Sequence, residues 1–389
     1  MTDLFPADTE SRPPRYPDAD GQPTLDTWQD APHNRWAFAH VSEFVSTVPI
    51  ARAARDGDAV VDLHRATGVP GLRQRLEDSF TDAFVVDRGG ATLASYFRPG
   101  FGERDAHLLM SVSKSVCGVA VGSLVDDGLI DTGEAVRAYV PELTGSAYGD
   151  ATVAQVLDMT VAVDYDEDYR DPASHVQAQD RIAGWRPRRD GDPADTYEFL
   201  RGLRASGEHG RRFQYCSADT DVLAWIVEAV TGQRYADVIA ERLWQRLGCE
   251  QNASITVDAA GFPFANGGIS CTANDLVRLG RLMLGGGELD GERIVSADWV
   301  AQTMAGGDPS LARGLTIQQV HPRVSYRNQW WSTGNDRGVV YAVGIHGQYI
   351  WLDPPTDTVI VKLSSCPEPV TAEWNRVHAM LFQEVCAAI

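Results

Sequence analysis

Apolar runs of strand-like character stand near both ends of this chain of 389 residues. Residues 83–97 form two β-rich runs separated by Gly89-Gly90, which predicts a hairpin. Short apolar runs return late in the chain, at residues 338–343, 348–352 and 358–363. The turn-like residues 353–357 join the last two runs. Strands at both ends predict one mixed α/β body that is assembled from segments distant in sequence.

Helical spacing of apolar residues dominates between these strands. Residues 219–230 repeat apolar positions at this spacing and precede Gly232, which stands where a C-cap glycine belongs. In residues 111–125, apolar and small side chains surround the whole cylinder, which predicts a helix buried on every side. Shorter helices are predicted at residues 71–79 and 372–386.

The change from strand-rich to helix-rich patterning divides the chain. Residues 1–30 are polar, acidic and rich in proline, and are predicted to form an N-terminal arm. Residues 131–255 are predicted to form a mainly helical lobe, inserted into an α/β body of residues 31–130 and 256–389. Ligand sites often lie in the cleft between two such lobes, so the candidate site is expected there.

Composition and net charge disfavour several classes of binding partner for this protein. A net charge of −20 predicts no binding to nucleic acid, because affinity for a phosphate backbone comes largely from Lys and Arg. No run approaches the ~18 apolar residues of a membrane span, and no signal-peptide pattern is visible. Six widely spaced cysteines favour reduced thiols in a cytoplasmic protein. Histidines and cysteines lack zinc-ligand spacing, so we expect neither a metal nor another cofactor.

A serine and a lysine begin the predicted buried helix. The spacing of Ser111 and Lys114, i to i+3, places both side chains on one face, close enough to exchange a proton. Free backbone N–H groups at a helix N-terminus also favour an oxyanion that develops there. A lysine among valines and alanines should have a pKa lowered towards neutrality, which would let it act as a base.

Lysine is rare in this chain, which has two lysines, Lys114 and Lys362, against 32 arginines. Since arginine stays protonated and lysine can titrate, a lysine on an apolar helix suggests a need for a titratable amine. A buried lysine that pairs with a carboxylate for structural reasons is the alternative. The pattern G-x-S-x-G is absent from the sequence, which excludes the usual nucleophile elbow of α/β-hydrolases.

Two further segments carry candidate catalytic groups. Tyr215 directly precedes the helix predicted from residue 219, where its hydroxyl can relay a proton between nucleophile and leaving group. A core or rim aromatic residue is the simpler alternative for Tyr215. The segment G-I-H-G at 344–347 falls among the late strands. Its glycines permit close approach of the backbone, so the Ile345 N–H can form part of an oxyanion hole, unless the segment is only a β-bulge.

At these residues the sequence resembles the superfamily of serine β-lactamases, D,D-peptidases and esterases, whose motifs are S-x-x-K, Y-x-[NS] and K-T-G. It is similar most of all to the 6-aminohexanoate-dimer hydrolases, which degrade nylon oligomers. The similarity covers most of the chain, with H-L-L-M-S-V-S-K-S (107–115), F-Q-Y-C-S-A (213–218), F-A-N-G-G (264–268), Q-W-W (329–331) and G-I-H-G-Q (344–348). The resemblance implies the β-lactamase-like (penicillin-recognising) α/β fold, an antiparallel sheet flanked by helices with an inserted mainly helical lobe.

The resemblance also implies roles for named residues. Ser111 would be acylated by an amide, and Lys114 and Tyr215 would act as base and acid. The N–H groups of Ser111 and Ile345 would hold the oxyanion. Substrate contacts are implied at the family's binding positions and beside its motifs, namely Tyr169, Asp180, Asn266, Ser217, His346 and Trp331.

The charge of Asp180 is a second reason, independent of the resemblance, to expect this residue to contact the substrate. A carboxylate near a cleft attracts the ammonium end of an aminohexanoyl oligomer. The acidic run at residues 164–171, by contrast, is expected to be a solvated loop that merely carries Tyr169.

Departures from the wider superfamily bear on the substrate. Ser217 stands where penicillin-recognising enzymes usually have Asn, and residues 342–347 lack the Lys and Thr of K-T-G. We therefore expect little β-lactamase activity. The leading hypothesis is an amide hydrolase of linear 6-aminohexanoate oligomers. The alternatives are a carboxylesterase of the same fold and a catalytically silent binding protein. A small amide or ester is the expected partner, and a homodimer is compatible with the sequence.

Overall fold

Residues 23–53 and 69–389 are described by the computed structural model of the chain. Most of the predicted arm, residues 1–22, lies outside the described residues. Trp28, near the end of that arm, is buried, and its Nε1 donates a hydrogen bond to the carbonyl oxygen of Trp185 at 2.6 Å. The last part of the predicted arm is therefore packed on the body.

The strands of the described residues lie in two sheets and one small hairpin. In chain order they are β1 (Thr47–Ile50), β2 (Thr81–Arg88), β3 (Ala91–Phe97), β4 (His107–Leu108), β5 (Ala253–Thr256), β6 (Ile269–Cys271), β7 (Glu288–Leu289), β8 (Glu292–Arg293), β9 (Ser325–Arg327), β10 (Trp330–Ser332), β11 (Val340–Gly344), β12 (Gln348–Asp353) and β13 (Thr358–Ser364).

The α-helices, in chain order, are α1 (Asn34–Ala37), α2 (Leu72–Asp78), α3 (Val112–Asp126), α4 (Val153–Leu157), α5 (His175–Ile182), α6 (Thr196–Gly202), α7 (Ser217–Thr231), α8 (Tyr235–Ile239), α9 (Ala273–Leu284), α10 (Ala297–Ala305) and α11 (Ala372–Ala388). Among the described residues, no helix combines the length and the apolar character needed to cross a bilayer.

The larger sheet has seven strands in the order β3-β2-β13-β12-β11-β10-β9, and every neighbouring pair is antiparallel. Its strands come from residues 81–97 and 325–364, so the prediction of a sheet assembled from distant segments is confirmed. The hairpin of β2 and β3 turns at Gly89-Gly90, as predicted. Both glycines have positive φ, a conformation that tight hairpin turns require.

Alternate residues of the sheet enter two different cores. In β2, Ala83 and Val85 belong to the core that contains α3 and α9, whereas Phe84 and Val86 pack with residues of α11. Phe382 of α11 stacks on Phe84, at 6.5 Å between ring centroids. Because both faces of the central strands are covered, these strands appear in the sequence as nearly continuous apolar runs.

Helix α3 lies in the centre of the protein, as its pattern predicted, and residues 112–124 are all buried. Packing requires two of its glycines. A Cβ on Gly118 would lie 2.2 Å from the carbonyl oxygen of Asn328, and one on Gly122 would lie 2.4 Å from Nε1 of Trp299. These contacts fix the helix against the turn between β9 and β10 and against α10.

A smaller antiparallel sheet, in the order β1-β5-β6-β4, delivers the chain to α3. Strand β4 pairs with β6 and ends at Leu108, three residues before Ser111. Helices α4 to α8 occupy the sequence between α3 and β5, within the segment predicted to be mainly helical. The start of α3 therefore lies where the two sheets meet helices α4 to α8.

Candidate active site

Ser111 stands at the junction between β4 and α3. It caps the N-terminus of α3, where backbone N–H groups have no intrahelical partner. The preceding residue, Met110, has a φ of 49°, in the left-handed region that non-glycine residues rarely adopt. Backbone strain of this kind is concentrated at functional sites. The local geometry thus marks Ser111 independently of the sequence motif.

Lys114 reaches back to Ser111 from within the first turn of α3. Its Nζ donates hydrogen bonds to Oγ of Ser111 at 2.8 Å and to the carbonyl oxygen of Asn266 at 2.7 Å. The side chain is only 1% exposed. Burial lowers the pKa of Lys114 to about 8, while the nearby carboxylates of Glu167 and Asp221 act in the opposite direction. The amine is therefore in contact with the Ser111 hydroxyl and can lose its proton near neutral pH.

Tyr215 completes this polar centre from the loop that precedes α7. Its hydroxyl lies near the Ser111 side chain, and its ring centroid lies 5.2 Å from Nζ of Lys114. The ring stacks against Trp331, with 5.8 Å between centroids. Burial raises the pKa of Tyr215, and the carboxylate of Glu167 raises it further. The phenol therefore keeps its proton and is suited to donate it.

Gly344, the last residue of β11, lies against the turn that carries Ser111. A Cβ at Gly344 would lie 2.6 Å from the carbonyl oxygen of Leu109 and 3.0 Å from the backbone nitrogen of Ser111. This close approach brings the next residue, Ile345, beside the start of α3. Within residues 23–53 and 69–389, the backbone N–H groups of Ser111 and Ile345 have no protein acceptor. Two such donors beside one hydroxyl can hold a negatively charged oxygen.

Two cavities meet at Ser111. The larger one, of about 260 Å³, is lined mainly by apolar and aromatic side chains and is bordered by Tyr215 and Trp331. The smaller one, of about 20 Å³, is bordered by Asp180. Ile345 borders both cavities. A molecule bound across Ser111 would therefore extend in two directions that differ in chemical character.

Asp180, in α5, carries the charge of the smaller cavity. Its carboxylate accepts hydrogen bonds from Arg186 at 3.4 Å and from Gln29 at 3.3 Å. Burial raises the pKa of Asp180 to about 6, and the Arg186 guanidinium opposes this rise. The carboxylate is therefore charged at neutral pH and lies within reach of a cationic group in the cavity.

Asn266 borders the smaller cavity as well, and its contacts connect it to the catalytic centre. Its side-chain amide and its backbone N–H donate to Asp221, at 2.8 Å and 3.1 Å. Burial raises the pKa of Asp221 to about 7, while the bonds from Asn266 oppose the rise. Because the carbonyl oxygen of Asn266 also accepts from Lys114, this residue holds the amine in place through its backbone.

Glu167 belongs to the site, although the sequence indicated a solvated acidic loop at this position. One carboxylate oxygen accepts from the Tyr169 hydroxyl at 2.7 Å and from Oγ of Ser217 at 2.5 Å, and the other accepts from the Ser217 N–H at 2.9 Å. The remaining acids of residues 164–171 are exposed, as expected. Tyr165, Glu167 and Tyr169 point inward at every second position, and this alternation is the signal that could have found Glu167.

His346 contacts the backbone of Cys366 and does not border the two cavities that meet at Ser111. Its ring is buried and its Nδ1 lies 2.7 Å from the carbonyl oxygen of Cys366. Burial lowers the pKa of His346 to about 4, so the imidazole is neutral. It borders a neighbouring cleft instead. In the described part of the chain, no group of three or more His, Cys, Asp or Glu side chains is arranged to hold a metal ion.

Comparison with known proteins places this site in a family. The β-lactamase family model matches residues 62–381. A curated 6-aminohexanoate-dimer hydrolase from Paenarthrobacter ureafaciens is 55% identical over 385 residues, which cover 98% of each chain. A solved structure from Bacillus anthracis, provisionally assigned as a 6-aminohexanoate-dimer hydrolase, has a TM-score of 0.82 and 28% identity over 93% of this chain and 96% of its own.

More distant structures share the fold alone. A penicillin-binding protein homologue from Pyrococcus abyssi has a TM-score of 0.62 and 16% identity, over 80% of this chain and 76% of its own. Together these matches confirm the predicted β-lactamase-like fold and the predicted hydrolase class. The chain therefore belongs to the β-lactamase family and is related, within it, to the 6-aminohexanoate-dimer hydrolases.

Proposed function

We propose that this protein hydrolyses the amide bond of linear 6-aminohexanoate dimers and oligomers through an acyl-enzyme on Ser111. The observation that carries the proposal is the 2.8 Å hydrogen bond between the Ser111 hydroxyl and a buried Lys114 whose pKa is about 8. The name of the 55% identical relative supports the substrate. The carboxylate of Asp180, in the smaller cavity, supports recognition of its charged end.

In the acylation step, Oγ of Ser111 attacks the carbonyl carbon of the amide. The hydroxyl proton passes to Nζ of Lys114, directly or through the Tyr215 hydroxyl, since these two groups titrate as a coupled pair. The carbonyl oxygen becomes negatively charged and is held by the N–H groups of Ser111 and Ile345. Tyr215 protonates the amide nitrogen as the C–N bond breaks and regains a proton from Lys114, so the amine leaves without a negative charge.

In the deacylation step, water attacks the ester carbonyl carbon of the acyl-enzyme. The same oxyanion donors hold the second tetrahedral intermediate. The proton lost by the water passes through Lys114 and Tyr215 to Oγ of Ser111 as the ester bond breaks. The carboxylic acid is released and the hydroxyl of Ser111 is restored.

The charged end of the substrate is assigned to Asp180. An aminohexanoyl group attached to Ser111 carries an ammonium at its far end, and this ammonium can share the carboxylate with Arg186. Asn266 and Ser217 border the same cavity and complete its polar wall. Tyr169 borders both cavities, so its hydroxyl is assigned to contact the substrate near the scissile bond.

Steady-state kinetics of the 6-aminohexanoate dimer and of a short butyrate ester test the proposal. We expect Ser111→Ala to abolish both activities. Asp180→Asn should reduce kcat/KM for the dimer by about 10- to 100-fold, because a hydrogen bond to a charged group is worth ~1.5–3 kcal/mol, and should preserve ester hydrolysis. The control is Asp190→Asn, which removes a charge from an exposed residue ten positions after Asp180. It should change neither activity. Retention of dimer hydrolysis in Ser111→Ala would rule out the acyl-enzyme.

A carboxylesterase with little amidase activity is the second candidate function. The apolar lining of the larger cavity favours it, since an uncharged ester fits there without loss of hydration. Esters also demand less of the acid that protonates the leaving group. A serine-directed phosphonate, followed by mass spectrometry, should modify Ser111 under either proposal. A Ser111 adduct without dimer hydrolysis would select the esterase.

A further inference from the structure

The larger cavity has a shape and a chemistry that hydrolysis of a 6-aminohexanoate dimer does not account for. It runs from Ser111 along the face of the seven-stranded sheet that α11 covers. Its walls include Tyr341 and Trp351 of the sheet and Ala379 of α11. Its volume is about 260 Å³, against about 20 Å³ for the smaller cavity.

The position of Tyr215 shows which part of a substrate enters this cavity. Tyr215 borders the larger cavity and not the smaller one, whereas Asp180 borders only the smaller one. The group that protonates the leaving atom must lie beside that atom. The leaving group therefore extends into the larger cavity, and the acyl chain extends towards Asp180. This step rests on the proposed function.

Charge in the larger cavity disfavours an anionic chain. Its interior holds His321, which has no hydrogen-bond partner for its ring among the described residues and whose pKa burial lowers to about 4, so the imidazole is neutral. The carboxylates that border the cavity are Glu167, close to Ser111, and Glu368, which is exposed at its outer end. Arg170 pairs with Glu368 at 2.9 Å and compensates its charge, so the like charge that a leaving-group carboxylate would meet is that of Glu167.

We infer that the larger cavity is a leaving-group site for neutral aliphatic chains, because its walls are apolar and aromatic and it borders Tyr215. The substrate class extends from the 6-aminohexanoate dimer to N-alkyl amides and alkyl esters. The 6-aminohexanoate leaving group ends in a carboxylate and therefore brings a charge into this apolar site.

A series of N-alkyl 6-aminohexanamides tests the inference, because the acyl group is constant and only the leaving amine changes. The rate constant kcat/KM should rise about fourfold per added methylene from butyl to octyl, through a fall in KM, and level off once the chain extends beyond the cavity. The N-hexyl amide should exceed the dimer, which has the same number of carbons in its leaving group but ends in a carboxylate. No rise with chain length, or a dimer faster than the N-hexyl amide, would overturn the inference.

Substitutions on α11 locate the effect in the cavity. Ala379→Phe fills the cavity and should remove the advantage of octyl over butyl. Met380→Phe is the matched control, because Met380 is the next residue of the helix and is 51% exposed, and it should keep the wild-type ratio. Ile317→Trp narrows the cavity from a different segment of the chain and should act like Ala379→Phe, so the test does not depend on the folding of one variant. Equal octyl-to-butyl ratios in all three variants would overturn the inference.

Failure of the proposed function can be told apart from failure of this inference. If wild-type protein hydrolyses none of the amides, the proposed function is wrong, and binding then tests the cavity directly. In that case N-octylacetamide should raise the Tm of the wild type more than N-butylacetamide does, since these two amides are neutral, and Ala379→Phe should remove the difference. Equal shifts for the two amides in the wild type would overturn the inference.

Discussion

Catalysis by a neutral Lys114 should leave a distinct mark on the pH profile. Burial lowers the pKa of this side chain from 10.5 to about 8. A base with this pKa is about one-tenth neutral at pH 7, whereas an unperturbed lysine is neutral in about one molecule in 3,000. For a neutral ester, kcat/KM should therefore rise about tenfold per pH unit below pH ~8 and level off above it.

Initial rates with a short butyrate ester, measured well below KM from pH ~5.5 to ~9.5, give this profile. An uncharged ester is preferable because its binding does not depend on Asp180. Lys114→Arg keeps a positive charge but cannot deprotonate at these pH values. We expect kcat/KM of this variant to fall by about 10²- to 10⁴-fold and its inflection near pH ~8 to disappear.

Lys362 provides a matched control, because burial lowers its pKa to about 8 as well. Its Nζ donates hydrogen bonds to the carbonyl oxygen of Ser79 and to Oγ of Ser364, and it borders neither cavity at Ser111. Lys362→Met should keep the inflection of the wild type. The assignment of Lys114 as the base would be refuted by a rate that still rises tenfold per pH unit up to pH ~9.5, or by wild-type rates in Lys114→Arg.

Gly344→Ala should remove most activity from a folded protein, because the added Cβ would lie 2.6 Å from a backbone carbonyl oxygen and must displace Ile345. Circular dichroism shows whether the variant is folded and kcat shows whether it is active. A fully active variant would contradict the reasoning. Gly118→Ala should lower the free energy of unfolding by about 1–3 kcal/mol, because its methyl group would lie 2.2 Å from the carbonyl oxygen of Asn328, and an unchanged denaturation midpoint would argue against this packing. The Asp180 carboxylate, with a pKa of about 6, loses its charge as the pH falls through this value. The preference for a 6-aminohexanoyl ester over an uncharged hexanoyl ester should therefore decline there, and a ratio independent of pH would contradict the assignment.

The sequence alone predicted the pair of Ser111 and Lys114 because their geometry is local. A helix places residues i and i+3 on one face, and once it forms, the two side chains come within 2.8 Å. The apolar residues on all sides of the same helix predicted its burial, and burial is the largest cause of the lowered pKa of Lys114. The hairpin at Gly89-Gly90 and the late strands were predictable for the same local reason.

The surroundings of that pair could not be predicted from the pattern. The carbonyl oxygen that holds Lys114 belongs to Asn266, 152 residues further along the chain. Glu167 stands in an acidic run that composition assigns to solvent, yet it turns inward because Ser217 and Tyr169 supply three hydrogen bonds to its carboxylate. Periodicity shows which side of an element is buried, but not which segment covers it.

Sequence therefore determined the mixed α/β class and the proximity of Ser111 and Lys114, because backbone periodicity sets distances within a helix or a hairpin. Only the tertiary structure decided that Asp180 pairs with Arg186, that Gly344 brings Ile345 to the start of α3, and that a cavity opens between the sheet and α11. Each of these features depends on the separation of segments far apart in the chain. That separation is set by the packing of the whole core, in which every side chain takes part.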